Sequence, residues 1–175
     1  MSRQYSHLIL LTMIDTSLLT LRPKLESDTD FLIALYETSR EEEMQFIEWH
    51  NDDERKAFFL MQYNAQKMHF DTNYENLDYD IILYNNIDVG RLILHRTQGN
   101  LHCVDIIILP EYRKKGIGAA IMQRIEKELE EKNITSTLYF EKTKPYLEGI
   151  YGKYGFVSIE DIGTHKFMER KKSKE

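Results

Sequence analysis

Arg113-Lys114-Lys115-Gly116-Ile117-Gly118 sets three cations and two glycines at the start of a strongly periodic helical segment. An apolar run from Val104 to Leu109 precedes it, and Pro110 stops that run. Strand, glycine-bearing turn and helix N-terminus, in that order, leave unpaired backbone N–H groups and the positive end of a helix dipole facing one point. A phosphate suits such a place. Glycine lets the backbone approach a ligand where a Cβ would block it, and the neighbouring Arg and Lys side chains add mobile positive charge. The glycines at 116 and 118 fit neither the P-loop nor the dinucleotide fingerprint. The spacing therefore specifies an anion cradle without naming the anion.

The elements that position this turn follow from capping signals and hydrophobic period. Leu18–Leu21 reads as a first strand. Ser27-Asp28-Thr29-Asp30 offers a helix cap, with Phe31, Leu32, Leu35 and Tyr36 as the apolar face behind it. Glu41–Trp49 is expected as a separate short helix, and Asn51-x-x-Glu54 caps a long one reaching about Phe70. Tyr79–Tyr84 and Val89–Arg96 read as strands joined by the turn Asn85–Asp88. Gln98-Gly99-Asn100 turns into the strand before the cradle. A strand at 137–141, a helix near 145–152 and strands near 156–160 and 165–169 complete the order.

Composition sets bounds on what such a chain does. With 175 residues, 42% hydrophobic and 30% charged, it is sized for one domain with a real core. Residues 13–170 are read as that domain, 1–12 as a dispensable N-terminal extension and 171–175 as a charged tail. The single cysteine, Cys103, excludes an internal disulfide framework and fits a reducing cytoplasm. A net charge of −6 disfavours nucleic acid despite the basic turn, and mildly favours a cationic or amine partner. No stretch approaches the roughly 18–20 apolar residues of a membrane span. His95 and His102 have no cysteine or acidic residue at ligand spacing, so no metal is expected.

Two motifs then carry a family resemblance. Arg113-x-x-Gly116-x-Gly118, preceded by Ile-Leu-Pro-Glu-Tyr, resembles the Q/R-x-x-G-x-G/A acetyl-CoA signature of the GNAT acyltransferases. Downstream, Ile150-Tyr151-Gly152-Lys153-Tyr154-Gly155-Phe156 is similar to that family's L-Y-x-x-x-G-F. The resemblance covers the chain from about residue 17. It implies an α+β fold, a mixed sheet of about seven strands with helices on both faces. It also implies direct transfer of an acetyl group from acetyl-CoA to a primary amine. The alternative is a non-catalytic acyl-CoA-binding or interaction domain that keeps the fold. The acceptor would be a small molecule or a peptide amine, and the protein a monomer or homodimer.

The same resemblance assigns roles. The backbone of Ile106, Ile107 and Ile108 would meet the pantetheine arm and the acetyl carbonyl, through a bulge or splay that frees N–H groups. The amides of Lys114, Lys115, Gly116, Ile117, Gly118 and Ala119 would hold the pyrophosphate, with Arg113 at the motif's first position. Tyr151 would be the general acid toward the CoA thiolate. Where relatives carry an asparagine seven residues before this tyrosine, this chain has Lys144, and Leu147 replaces a small residue. For the base, Tyr139 occupies the position of some relatives' glutamate, leaving Glu141, on the same strand face, or Asp105. Removal of the proton through ordered water is the third possibility. Acceptor contacts are expected between residues 36 and 74, from Tyr36, Arg40, Trp49, Gln62, Gln66 and His69; the last three share one helical face. Cys103 reads as a buried strand residue rather than an acyl carrier.

Overall fold

The computed structural model describes residues 14–172, so the expected 1–12 extension and the last three residues of the tail lie outside the described part. The strands are β1 (Leu19–Pro23), β2 (Leu77–Tyr84), β3 (Ile87–Arg96), β4 (Asn100–Ile108), β5 (Thr135–Glu141), β6 (Val157–Ile162) and β7 (His165–Arg170). The helices are α1 (Thr29–Met44), α2 (Asp52–Asn73), α3 (Ile117–Lys132) and α4 (Tyr146–Gly152). One seven-stranded mixed sheet runs β1-β2-β3-β4-β5-β7-β6. Its pairs are antiparallel except β4 with β5. The expected α+β architecture, with helices on both faces, is what forms.

Each face has its own core. α3 presents Ile117, Ile121, Ile125 and Leu129 at four-residue spacing onto Leu92, Leu94, Leu101, Cys103 and Leu138, and α4 joins this side through Leu147 and Tyr151. On the other side α1 and α2 bury Leu32, Leu35, Tyr36, Phe59 and Tyr63 over Ile81 and Ile107. Each such large side chain taken from water contributes about 1.5–3 kcal/mol. The sheet is thus held between α1/α2 and α3/α4, and its middle strands set the site.

Two sequence expectations are corrected here. Glu41–Trp49 is not a separate helix, because α1 continues unbroken to Met44 and the chain turns irregularly from Gln45 to Asn51. Asp28 does not cap α1 through its side chain. It is instead buried, accepting hydrogen bonds from Arg22 at 2.7 and 2.9 Å. The cap at Asn51 forms as expected, its side chain accepting the Glu54 N–H. Asn85 and Asn86 both adopt positive φ, 51° and 61°, as a tight hairpin between β2 and β3 requires.

Candidate active site

β4 opens the site. It pairs with β5 at only four positions, Asn100–Cys103 against Thr135–Leu138. Beyond Cys103 the two strands part, and the edge of β4 over Asp105–Ile108 that faces β5 has no strand partner among the described residues. At the same point the ladder with β3 shifts register between Ile93, opposite Asp105, and Leu94, opposite Cys103. Val104 is the extra residue, a β-bulge. Behind it β3 lies so close that a Cβ on Gly90 would overlap the Ile107 carbonyl oxygen, which explains a glycine inside this strand. Bulge and splay together supply the free backbone edge expected around Ile106–Ile108.

The cradle lies at the end of this edge. Leu109 N–H bonds to Val89 O at 2.9 Å, and Pro110–Tyr112 form a single 3-10 turn. Lys114 and Gly116 then take positive φ values, 59° and 99°. The first bond of α3 runs from Ala120 N–H to Gly116 O, and among the described residues no side chain caps the helix. The N–H groups of Ile117, Gly118 and Ala119 are therefore free for an outside acceptor. A Cβ on Gly118 would meet only Ile108 Cδ1, at 3.7 Å, so packing within the protein does not demand glycine there. Lys114 is exposed, while the Lys115 ammonium sits 5.5 Å from the Tyr112 ring centroid. Arg113 behaves differently from a free phosphate ligand. Its guanidinium donates to Ile108 O at 2.8 Å and Thr38 O at 3.2 Å, strapping α1 to the end of β4.

Tyr151, on α4, packs against the core beneath α3. Its ring packs edge-on to Phe156, with centroids 6.1 Å apart. Burial, with the nearby Cys103 and Asp105 as smaller causes, pushes its hydroxyl well above the ordinary phenol range. The Cys103 thiol is buried and pushed up to about 12 by that burial. Both groups are neutral near pH 7.

The two candidate carboxylates differ in how they are held. Glu141 is engaged through both oxygens, by Arg40 at 2.7 Å and Lys144 at 3.1 Å. Burial alone would raise its pKa, but these two cations outweigh it and hold the carboxyl below the usual range. The cluster extends to Glu43, 3.1 Å from Arg40. Lys144, standing where relatives have asparagine, is thus part of this ion-pair group. Among the described residues Asp105 accepts one bond, from Arg91 Nε to Oδ2 at 2.7 Å, and its side chain keeps 20% of its surface exposed. Arg91 is itself buried, and its other donors reach Tyr79 OH at 3.2 Å and Gln66 Oε1 at 2.6 Å.

The acceptor candidates are only partly brought together. Tyr36, Arg40 and Gln62 line a cavity of about 250 Å³ between α1 and α2, with Glu43, Phe58 and Phe59. Gln66 turns inward to Arg91. His69 is exposed and bonds to Asn73, and Trp49 packs against Phe58 and Phe59 at centroid distances of 5.3 and 6.0 Å. Arg91 and Tyr79 were not found by sequence reasoning. The available signal is a lone arginine inside the apolar strand Val89–Leu94 and a lone aspartate inside the next apolar run. His102, also unassigned, stacks on Tyr74, bonds to Thr137 and is pushed down to about 4 by burial.

Comparison with known proteins gives a consistent result. A family model described as an acetyltransferase (GNAT) domain matches residues 37–168. Among curated proteins no sequence matches. Among solved structures, PaiA N-acetyltransferase from Thermoplasma acidophilum in complex with coenzyme A is 19% identical with a TM-score of 0.65, covering 87% of this chain and 98% of that one. A GNAT-family acetyltransferase from Staphylococcus aureus is 17% identical, TM-score 0.60, covering 87% and 98%. Spermidine N-acetyltransferase from Vibrio cholerae, in complex with CoA and spermine, is 20% identical, TM-score 0.58, covering 90% and 98%.

Proposed function

This chain belongs to the GNAT acetyltransferase family, and we propose that it transfers an acetyl group from acetyl-CoA directly to a primary amine of a small molecule. One observation carries this reading: β4 loses its partner at Cys103 just before the uncapped N-terminus of α3, with Tyr151 packed beside the gap. Acetyl-CoA supplies the activated acyl group and a thiolate leaving group. The amides of Ile117, Gly118 and Ala119 suit its pyrophosphate. The free edge of β4 offers backbone N–H groups to the carbonyl oxygen as negative charge develops on it.

The protonation states support a single transfer step. Tyr151 keeps its proton at neutral pH and so can deliver it to the departing sulfur. Cys103, with its thiol pushed up to about 12, is a poor nucleophile, which favours direct attack by the amine over an acyl-cysteine. Of the two carboxylates, Asp105 has the oxygen to spare. We assign it the acceptor's ammonium, with the proton leaving through water, and assign Glu141 to holding α1 against the β5–α4 loop.

The decisive experiment measures CoA release and acetylated product with a panel of primary amines: amino acids, polyamines, aminoglycosides and short peptides. Stoichiometric release with at least one amine is expected. Tight CoA binding without turnover on any amine would replace an enzyme by a binding module.

A further inference from the structure

We propose that Arg91 is a positioning residue, which fixes the Asp105 carboxylate so that its Oδ1 faces the acceptor amine. The inference rests on the assignment of Asp105 above and goes beyond it. Arg91 is 1% exposed in the middle of β3, where a charge is expensive and an apolar side chain of similar volume would pack at least as well. Stability therefore does not account for it. Its planar fork is used on three elements at once: Nε on Asp105 of β4, Nη1 on Tyr79 of β2 and Nη2 on Gln66 of α2. A guanidinium tied at three corners cannot swing, so Asp105 is bound through Oδ2 in one orientation.

Among the described residues Arg91 is the one charged group bonded to Asp105. Tyr79 is neutral, its hydroxyl pushed up chiefly by burial. Cys103 and Tyr151, from the other side of β4, are neutral for the same reason. From α2 the contributing residue is the amide Gln66. On α1, Arg40 and Glu43 are committed to Glu141 and Lys144. Gln66 matters most for specificity, because α2 also lines the α1–α2 cavity through Phe59 and Gln62. A change in that helix on acceptor binding reaches Asp105 through one amide and one guanidinium.

The test is a double-mutant cycle with Gln66→Leu, Arg91→Lys and Asp105→Asn, read with the best amine from the panel. Gln66→Leu and Arg91→Lys should each lower kcat/KM for the amine about tenfold while the dissociation constant for acetyl-CoA changes less than about twofold. Arg91→Met should lose more than Arg91→Lys. In the Asp105→Asn background the Gln66→Leu effect should vanish, since it acts through the missing carboxylate. Losses that multiply in a folded double variant would overturn the proposal while leaving acetyl transfer intact. Should Arg91 variants fail to fold, Gln66→Leu alone decides by the same split. If the wild type acetylates no amine, the Arg91 Nε–H resonance in nitrogen-15 spectra, with CoA and the amine panel, replaces turnover as readout. A shift on amine addition that Gln66→Leu diminishes would support the positioning role without catalysis, and no shift with any amine would end it.

Discussion

Cys103 and Asp105 stand two residues apart on one strand, yet their side chains lie on opposite faces of the sheet. Cys103 packs beneath α3, and Asp105 reaches Arg91 under α2. Strict alternation would place both on one side. The bulge at Val104 reverses the phase, so the carboxylate faces α2 and the thiol stays in the core beneath α3. A one-residue irregularity thereby separates an ionisable group that chemistry can use from one that would compete with it.

Tyr151→Phe removes the acidic hydrogen and leaves the ring packed on Phe156. We expect kcat to fall about 10²-fold with little change in acetyl-CoA affinity, measured by steady-state kinetics and calorimetry. Because burial raises the Tyr151 pKa, the protonated, donating form persists through the alkaline range. The wild-type kcat should show no loss from this residue between about pH 7 and pH 10. A fall across that window which disappears in the phenylalanine variant would show that Tyr151 loses its proton there, against the raised pKa, and an unchanged kcat in the phenylalanine variant would remove Tyr151 as the acid.

Gly118 separates stability from affinity. It lies in the first turn of α3, where a Cβ meets only ordinary van der Waals contact. Gly118→Ala should therefore gain about 0.5 kcal/mol, read from the urea midpoint. Gly118→Val, by contrast, should raise the acetyl-CoA dissociation constant at least about tenfold, because its branches project into the phosphate approach. Unchanged affinity in the folded valine variant would move the pyrophosphate elsewhere.

A third expectation concerns acid stability. Arg96 on β3 binds Glu128 of α3 through two bonds of 2.8 Å and also reaches Asp78 of β2. The Arg96 hydrogen bonds, opposed by burial and aided by Lys132, hold Glu128 down at about 2. A depressed folded pKa adds stability above the ordinary glutamate value of 4.5 that is lost as pH falls through about 2. Partial exposure reduces the effect to about 1–2 kcal/mol. Glu128→Gln should thus be less stable than wild type at pH 7 and nearly equal to it at pH 2, followed by chemical denaturation at both pH values.

The backbone geometry of the turn before α3 was legible in the chain's own text and the Arg91–Asp105 pairing was not, for a physical reason. Pro110, Gly116 and the apolar spacing of α3 act through local backbone geometry, which a linear pattern records. Arg91 and Asp105 are partners because β3 and β4 pair out of register at Val104, and that shift has no local signature. Arg113 was expected near phosphate from its motif position, but its guanidinium reaches Thr38 on α1, 75 residues away. The false break at Glu41 has a simpler origin. The glutamates there are good helix formers, and nothing between Arg40 and Met44 stops α1.

The short β4–β5 ladder has a mechanical consequence. Four parallel positions form the seam between a front half-sheet, β1 to β4, and a back half-sheet of β5, β7 and β6. Each half is otherwise knit by longer antiparallel ladders of five to eight positions. A ligand lodged along the open edge of β4 would act as a suture across that seam. Amide hydrogen exchange should then slow on adding CoA in β5 and β7, strands that lie beyond the cradle itself. Protection confined to the cradle and β4 would mean that the back half-sheet breathes independently of what the site holds.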